Sequence, residues 1–244
     1  MEPMKIRIVF LCMTTLAVLV LTLPASAAVL GITGSGINQT GDPVVYPGGT
    51  IFSDLGPVGD VYNSSTGWTV SGTGTVGTSF TAANLFNSGI GGSVSQIDLA
   101  VGYVTGTNSF YASIWTDVGN LPGTQIAGAL WTGLSSSQPF GGCCGLVTIS
   151  GISGVTLAPS TNYFMILGPP SVTATTWEVL NWNNQNVTNL DLYSTDGGMT
   201  WNSNGTTTIG AFDILGQIPE PSTFVLLGTG LLGVLGAVRR RVNR

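Results

Sequence analysis

Short runs of alternating apolar and polar residues fill the chain between residues 67 and 218, and polar turns separate them. Alternation with a period of two is typical of β-strands, and no amphipathic helix of useful length interrupts it. The pattern predicts about ten strands, at residues 68–70, 76–81, 94–104, 109–115, 125–132, 146–149, 162–167, 176–181, 187–193 and 211–215.

One predicted strand, residues 109–115, is apolar on both faces. Phe110, Ala112 and Ile114 lie on one face, and Tyr111 and Trp115 lie on the other. A strand that is covered on both sides belongs in the middle of a packed sheet. Together with the close spacing of strands and turns, this predicts an all-β fold, an antiparallel β-sandwich.

The N-terminal segment has the pattern of a signal peptide. Lys5 and Arg7 precede an apolar run at residues 8–23, and Ala25-Ser26-Ala27 follows it. A charged start, an apolar helical part and small residues are what signal peptidase recognises. We therefore expect residues 1–27 to be a signal peptide, with an uncleaved signal anchor as the weaker alternative.

The C-terminal segment contains a second uncharged run, the 15 residues at 224–238, before Arg239, Arg240 and Arg241. As a helix this run would be roughly 22 Å long at about 1.5 Å per residue, shorter than a bilayer core of about 30 Å. The pattern predicts a short transmembrane helix, with the arginines as a stop-transfer signal on the cytoplasmic side. Hydropathy alone leaves a permanent and a temporary anchor open.

Between these ends, composition suggests one domain. Residues 28–66 are rich in glycine and proline and are expected to be a loose entry segment, and residues 67–218 are expected to form the sandwich. All six Lys and Arg residues lie in the end segments, histidine is absent, and of the 11 acids only Glu2 and Glu220 lie outside the body. Such a negative body repels phosphate backbones, so we exclude nucleic acid as a partner.

The missing cations also limit catalysis. Without histidine, lysine or arginine, the body cannot assemble a Ser-His-Asp or Cys-His arrangement. We therefore expect that the protein is not an enzyme. A carboxylate-only glycosidase remains as an alternative, and it would need two acids about 5 to 10 Å apart in one cleft.

Acidic side chains offer one cofactor hypothesis, a calcium ion. The carboxylates available for it are those of Asp117, Asp191, Asp196, Asp213 and Glu178. Their spacing contains no dense Asp-x-Asp loop, and single aspartates in turns mostly bond their own backbone. We expect no cofactor, with calcium as the open alternative.

The six tryptophans of the body suggest a binding hypothesis, because exposed aromatic rings stack on sugars. Trp177 and Trp182, with Glu178 between them, form the candidate glycan-binding group, and exopolysaccharide is the partner it would take. The alternative is that these rings pack in the core or beneath hairpins.

Cys143 and Cys144 are adjacent in a glycine-rich stretch. In an oxidising compartment they are candidates for a disulfide, although neighbouring Cα atoms, about 3.8 Å apart, lie closer than the usual minimum of about 4.4 Å. Free or intermolecularly paired thiols are the alternative. A metal site lacks further soft ligands.

Pro219, Glu220 and Pro221 precede Ser222-Thr223, the apolar run and the arginine cluster. This three-part arrangement closely resembles the PEP-CTERM sorting signal of Gram-negative bacteria, over residues 219–244. The resemblance implies that an exosortase, a membrane-embedded protease, cleaves near the Pro-Glu-Pro motif after export through the inner membrane. The body would then be released or attached at the cell surface.

Two further resemblances concern the body. Ser194, Asp196, Gly198 and Trp201 match the Asp-box pattern, which implies a stapled hairpin with a structural role. Residues 113–124, with 157–163 and the Asp-box, are similar to exported choice-of-anchor domains, which implies a jelly-roll-like sandwich. The function expected from the whole sequence is a structural or adhesive protein of the cell surface or biofilm matrix, and the alternative is a weak carbohydrate-binding module.

Overall fold

A computed structural model describes residues 49–217 of the chain. Within residues 49–217, one short helix, α1 (Thr73–Val76), accompanies fourteen strands. The strands are β1 (Gly49–Ser53), β2 (Asn63–Ser71), β3 (Thr81–Asn87), β4 (Gly92–Leu99), β5 (Val101–Gly106), β6 (Phe110–Asp117), β7 (Pro122–Leu134), β8 (Val147–Ser150), β9 (Thr156–Leu157), β10 (Asn162–Gly168), β11 (Thr176–Trp182), β12 (Thr188–Ser194), β13 (Asn202–Thr208) and β14 (Phe212–Gln217).

The strands form three antiparallel sheets around a common core. A five-stranded sheet has the order β1-β14-β4-β8, with β9 also paired to β4, and a six-stranded sheet has the order β13-β12-β3-β10-β6-β7. A three-stranded sheet has the order β2-β11-β5. The main apolar cluster draws residues from all three sheets. The predicted all-β antiparallel sandwich is confirmed.

The pattern of β6 shows how the sequence directs this packing. Phe110, Ala112 and Ile114 enter the main core, whereas Tyr111 and Trp115 pack against a second apolar cluster on the other face of the six-stranded sheet. β6 lies between β10 and β7, so it is an interior strand as its two apolar faces predict.

The predicted single strand at residues 94–104 is divided in the structure. It forms β4 in the five-stranded sheet and β5 in the three-stranded sheet, and Ala100 lies between them. The Ala100 amide donates to the Ala211 carbonyl, and the Ala100 carbonyl accepts from Asn181. The chain therefore changes sheets at Ala100, because its hydrogen-bond partners change while its alternation continues.

The described part of the expected loose segment, residues 49–66, contains β1 and the start of β2. This differs from the expectation, because β1 pairs with β14, the last strand described, and Ile51 is buried in the core. The rings of Phe52 and Phe212 pack with their centroids 4.8 Å apart. Glycine and proline content describes local chain stiffness and carries no information on this distant pairing.

The prediction of a strand at residues 76–81 is also wrong. The chain instead forms α1, which ends where Gly77 takes a left-handed conformation with φ of 79° and donates to the Thr73 carbonyl. β3 begins only at Thr81, and its alanines and asparagines have low strand propensity, so the sequence pattern missed most of it.

Within residues 49–217 no helix is long and apolar enough to cross a membrane. The predicted signal helix and the C-terminal apolar helix lie outside the described residues.

Candidate functional site

Residues 49–217 contain eight acids and no Lys, Arg or His. Five of these acids are buried, namely Asp54, Asp98, Glu178, Asp191 and Asp213. Buried carboxylates usually have a cationic partner, and here the described part of the chain has none to offer. The hydrogen bonds and the accessible space around each buried acid therefore show which of them could belong to a functional site.

Asp191 lies in a cleft of about 370 Å³, in the range of small-molecule sites. The cleft lies between β2, the edge strand of the three-stranded sheet, and strands β3, β12 and β13 of the six-stranded sheet. The residues that line it are Gly67, Trp68, Thr69, Phe80, Ala82, Asp191, Leu192, Tyr193 and Asn204. Asp191 is the one acid among them.

Two amide side chains hold the Asp191 carboxylate. Asn84 donates to Oδ1 and Asn204 donates to Oδ2, and Asn84 in turn accepts a bond of 2.8 Å from the Gly210 amide. Burial raises the pKa of Asp191 to about 7, against the opposing effect of the hydrogen bonds from Asn204 and Asn84. Asp191 therefore changes charge near neutral pH.

A β-bulge places Asn204 beside Asp191. Asp191 pairs with Gly205 and Leu192 pairs with Ser203, so Asn204 is the extra residue on β13. Gly205 has φ of 80°, a conformation that glycine adopts without steric cost. Bulges redirect side chains in this way, and here the exposed Asn204 turns its amide to the carboxylate.

Three aromatic residues, Phe80, Tyr193 and Trp68, line the cleft. Phe80 and Tyr193 pack with ring centroids 6.2 Å apart. Trp68 packs against Trp182 at 5.3 Å, and its indole N–H donates to the Thr208 carbonyl at 3.0 Å. All of these rings are half-buried, so each keeps part of its surface accessible.

The candidate group Trp177, Glu178 and Trp182 lies on β11, outside the lining of this cleft. Glu178 has no exposed surface and faces the core beside Val70, its partner on β2. Neither carboxylate oxygen has a hydrogen-bond partner in the described structure, and burial raises the pKa of Glu178 to about 8. Trp177 and Trp182 are half-buried, and their indole nitrogens are enclosed without a partner among the described residues.

Ser194 is the last residue of β12, and Asp196, Gly198 and Trp201 lie in the turn that leads to β13. Asp196 Oδ1 accepts from the amides of Met199 and Thr200 at 3.0 and 2.9 Å, and Ser194 Oγ accepts from the Gly198 amide at 2.8 Å. Hydrogen bonds, first from Ser194 and then from Thr200, lower the pKa of Asp196 to about 2. Trp201 packs against the second apolar cluster, so the turn is fixed to the sheet.

The acids considered for calcium lie in separate places. Asp117 accepts from the Asn120 amide in the β6–β7 turn, Asp196 holds the turn after β12, and Asp213 lies in the five-stranded sheet. Asp191 lies in the cleft and Glu178 in the core. Among residues 49–217 no group of three or more His, Cys, Asp or Glu side chains converges as a metal site requires.

The sequence did not indicate that Asp54, Asp98 and Asp213 lie near one another at the five-stranded sheet. Asp98 and Asp213 face each other on β4 and β14, and Asp54 accepts from the Phe212 amide at 2.7 Å. Burial raises the pKa of Asp54 to about 8, with a further contribution from the charge of Asp213. These residues come from distant parts of the chain, so no spacing in the sequence could reveal them.

Cys143 and Cys144 lie in the loop between β7 and β8, and the structure joins their sulfur atoms across a cis peptide bond.

The sorting residues Pro219, Glu220 and Pro221 and the arginines Arg239, Arg240 and Arg241 lie outside the described residues. The last strand described, β14, ends at Gln217, two residues before Pro219.

Comparison with known families gives a match that covers this tail. Residues 217–241 match the model of the PEP-CTERM protein-sorting motif. No curated protein and no solved structure matches the chain. The motif implies an exported protein that is held by its C-terminus until an exosortase processes it, and residues 217–241 of this chain are similar to that motif.

Proposed function

We propose that this chain is a structural or adhesive protein of the cell surface or biofilm matrix, delivered there by signal peptidase and exosortase. The observation that carries the proposal is the sorting-motif match at residues 217–241, which begins where β14 ends. A folded sandwich followed directly by a removable tail suits a protein whose body acts outside the cell. The inner membrane is then a temporary partner, before processing.

The body supports this role through its charge. It has no Lys, Arg or His between residues 49 and 217, so it lacks the cationic side chains that attract phosphate backbones and the His or Lys that would activate a Ser or Cys nucleophile. We propose a role without catalysis, in which the sandwich acts by presenting its surface.

Intact mass of the chain, recovered from the outer surface, the medium and the inner membrane of the native host, tests the delivery. We expect a surface species that ends near residues 219–221 and lacks the arginine tail. Replacing Pro219, Glu220 and Pro221 together by alanine should leave the tail in place and the chain in the inner membrane. Asn243→Ala, in the same tail but outside the motif, is the matched control. A wild-type chain that keeps Arg244 in the inner membrane would contradict the proposal.

Incubation of the processed protein with host exopolysaccharide tests the non-catalytic role. We expect no new reducing ends. If the wild type forms reducing ends and Asp191→Asn does not, the non-catalytic role is contradicted and the protein is a glycosidase.

A further inference from the structure

We propose that the cleft between β2, β3, β12 and β13 binds a neutral saccharide. This binding proposal rests on the proposed function, because it names the class of ligand that an adhesive protein would bind outside the cell. The binding group consists of five residues that line the cleft, the aromatic Phe80, Tyr193 and Trp68 and the polar Asp191 and Asn204.

Shape and aromatic content favour a sugar. A cleft of about 370 Å³ is large enough for one or two hexose units. Aromatic faces carry partial negative charge, so they attract the C–H groups on the flat face of a sugar ring. Phe80, Tyr193 and Trp68 supply three such rings around one space, whereas the Trp177 and Trp182 pair on β11 lies outside it.

Asn204, the exposed amide of the lining, supplies the complementary hydroxyl contacts. Each oxygen of Asp191 accepts one amide bond, from Asn84 or Asn204, and the carboxylate is only 1 % exposed, so its role is to hold Asn204 in place. Asn204 uses its amide nitrogen for Asp191, and its side-chain carbonyl can accept from a hydroxyl. Because the hydrogen bonds among Asn84, Asp191 and Asn204 already hold these side chains in place, binding costs little additional side-chain entropy.

Charge narrows the class of saccharide. A uronic acid or sulfated sugar would place its negative charge beside Asp191, and residues 49–217 contain no Lys, Arg or His to offset it. A bare metal ion would find one carboxylate in the lining. The geometry therefore favours uncharged hexoses or N-acetylhexosamines.

Isothermal titration of the full chain, purified in mild detergent, tests the site. The probes are cellohexaose and N-acetylchitohexaose, with oligomeric alginate as the polyanionic comparison. We expect one neutral probe to bind, and Tyr193→Ala to raise its Kd by at least about tenfold. Asn204→Ala, at an exposed position, should also weaken binding and keeps the test valid if the Tyr193 variant fails to fold. Tyr103→Ala, a half-buried tyrosine outside the cleft, is the matched control and should change Kd less than about twofold.

The proposal is overturned if neither neutral probe binds in the millimolar range, if alginate binds more tightly, or if Tyr193→Ala and Asn204→Ala both bind as the wild type does. Processing at residues 219–221 is measured separately by mass. A failure of saccharide binding in a correctly processed protein therefore counts against the cleft alone.

Discussion

Asp98 on β4 and Asp213 on β14 lie directly opposite each other in the five-stranded sheet, and both are buried. Gln96 and Thr148 donate to Asp98 at 2.7 and 2.6 Å. Burial raises the pKa of Asp213, and the charge of Asp98 contributes to that rise. With no Lys, Arg or His among residues 49–217, such a pair is tolerated best when a carboxyl carries a proton.

We therefore predict that the protein is more stable in mild acid than at neutral or alkaline pH. Asp54, Glu178 and Asp191 have folded pKa values raised to about 8, 8 and 7, so between about pH 4 and pH 8 the folded state binds more protons than the unfolded state. The free energy of unfolding should fall as pH rises through this window. Urea unfolding at intervals from pH 4.5 to 8.5 measures it, and a curve that rises with pH would contradict the assignment.

Asp196 gives the opposite dependence at lower pH. Its pKa is lowered to about 2, so the stability it contributes is present above its unfolded value of about 4 and is lost as pH falls toward 2. Together with the buried acids, this predicts a maximum of stability near pH 4. Asp54→Asn, which retains an acceptor for the Phe212 amide, should flatten the decline above pH 5 and leave the loss below pH 4 unchanged.

Replacement of Glu178 by methionine should stabilise the protein. Glu178 has no exposed surface and no hydrogen-bond partner among the described residues, and an apolar side chain of similar length removes this uncompensated polar group. We expect a gain on the order of 1–3 kcal/mol at pH 8, measured by urea unfolding. Glu178→Gln is the matched control, because it removes the charge but keeps buried polar atoms. A loss of stability in Glu178→Met would indicate a partner for this carboxyl.

Asp196→Ala should open the turn between β12 and β13. The substitution removes the acceptor for the Met199 and Thr200 amides, so these amides should exchange with solvent faster in hydrogen-exchange measurements. Asp196→Asn keeps the acceptor oxygen and should exchange more slowly than the alanine variant. Equal exchange in both variants would show that the charge, and not the hydrogen-bond geometry, holds the turn.

Ile51→Ala should destabilise the protein by about 2–5 kcal/mol, because Ile51 is 3 % exposed and lies in the main core. Val58→Ala is the control, since Val58 is 84 % exposed and its truncation should change stability by less than about 0.5 kcal/mol. Thermal unfolding compares the two. Similar small effects in the two variants would mean that β1 contributes little to stability, as expected if residues 49–53 belonged to a loose segment.

The sequence alone determined the fold class and the sorting tail. Alternation of apolar and polar residues is a local property, and in β6 it correctly assigned Phe110 and Tyr111 to opposite faces of an interior strand. The tail was equally readable, because Pro219, Glu220 and Pro221 and the arginine cluster are contiguous and are recognised as sequence.

Tertiary structure decided which strands pair and where polar groups converge. The alternation of apolar and polar residues continues through Ala100 although the chain changes sheets there. The glycine-rich start of the body forms β1, which the sequence pattern did not predict and which pairs with β14. The cleft brings Trp68, Tyr193 and Asn204 together from β2, β12 and a bulge in β13. Sheet pairing depends on long-range backbone hydrogen bonds between N–H and C=O groups, which every residue carries except that proline lacks the N–H, so the side-chain pattern carries little information on it.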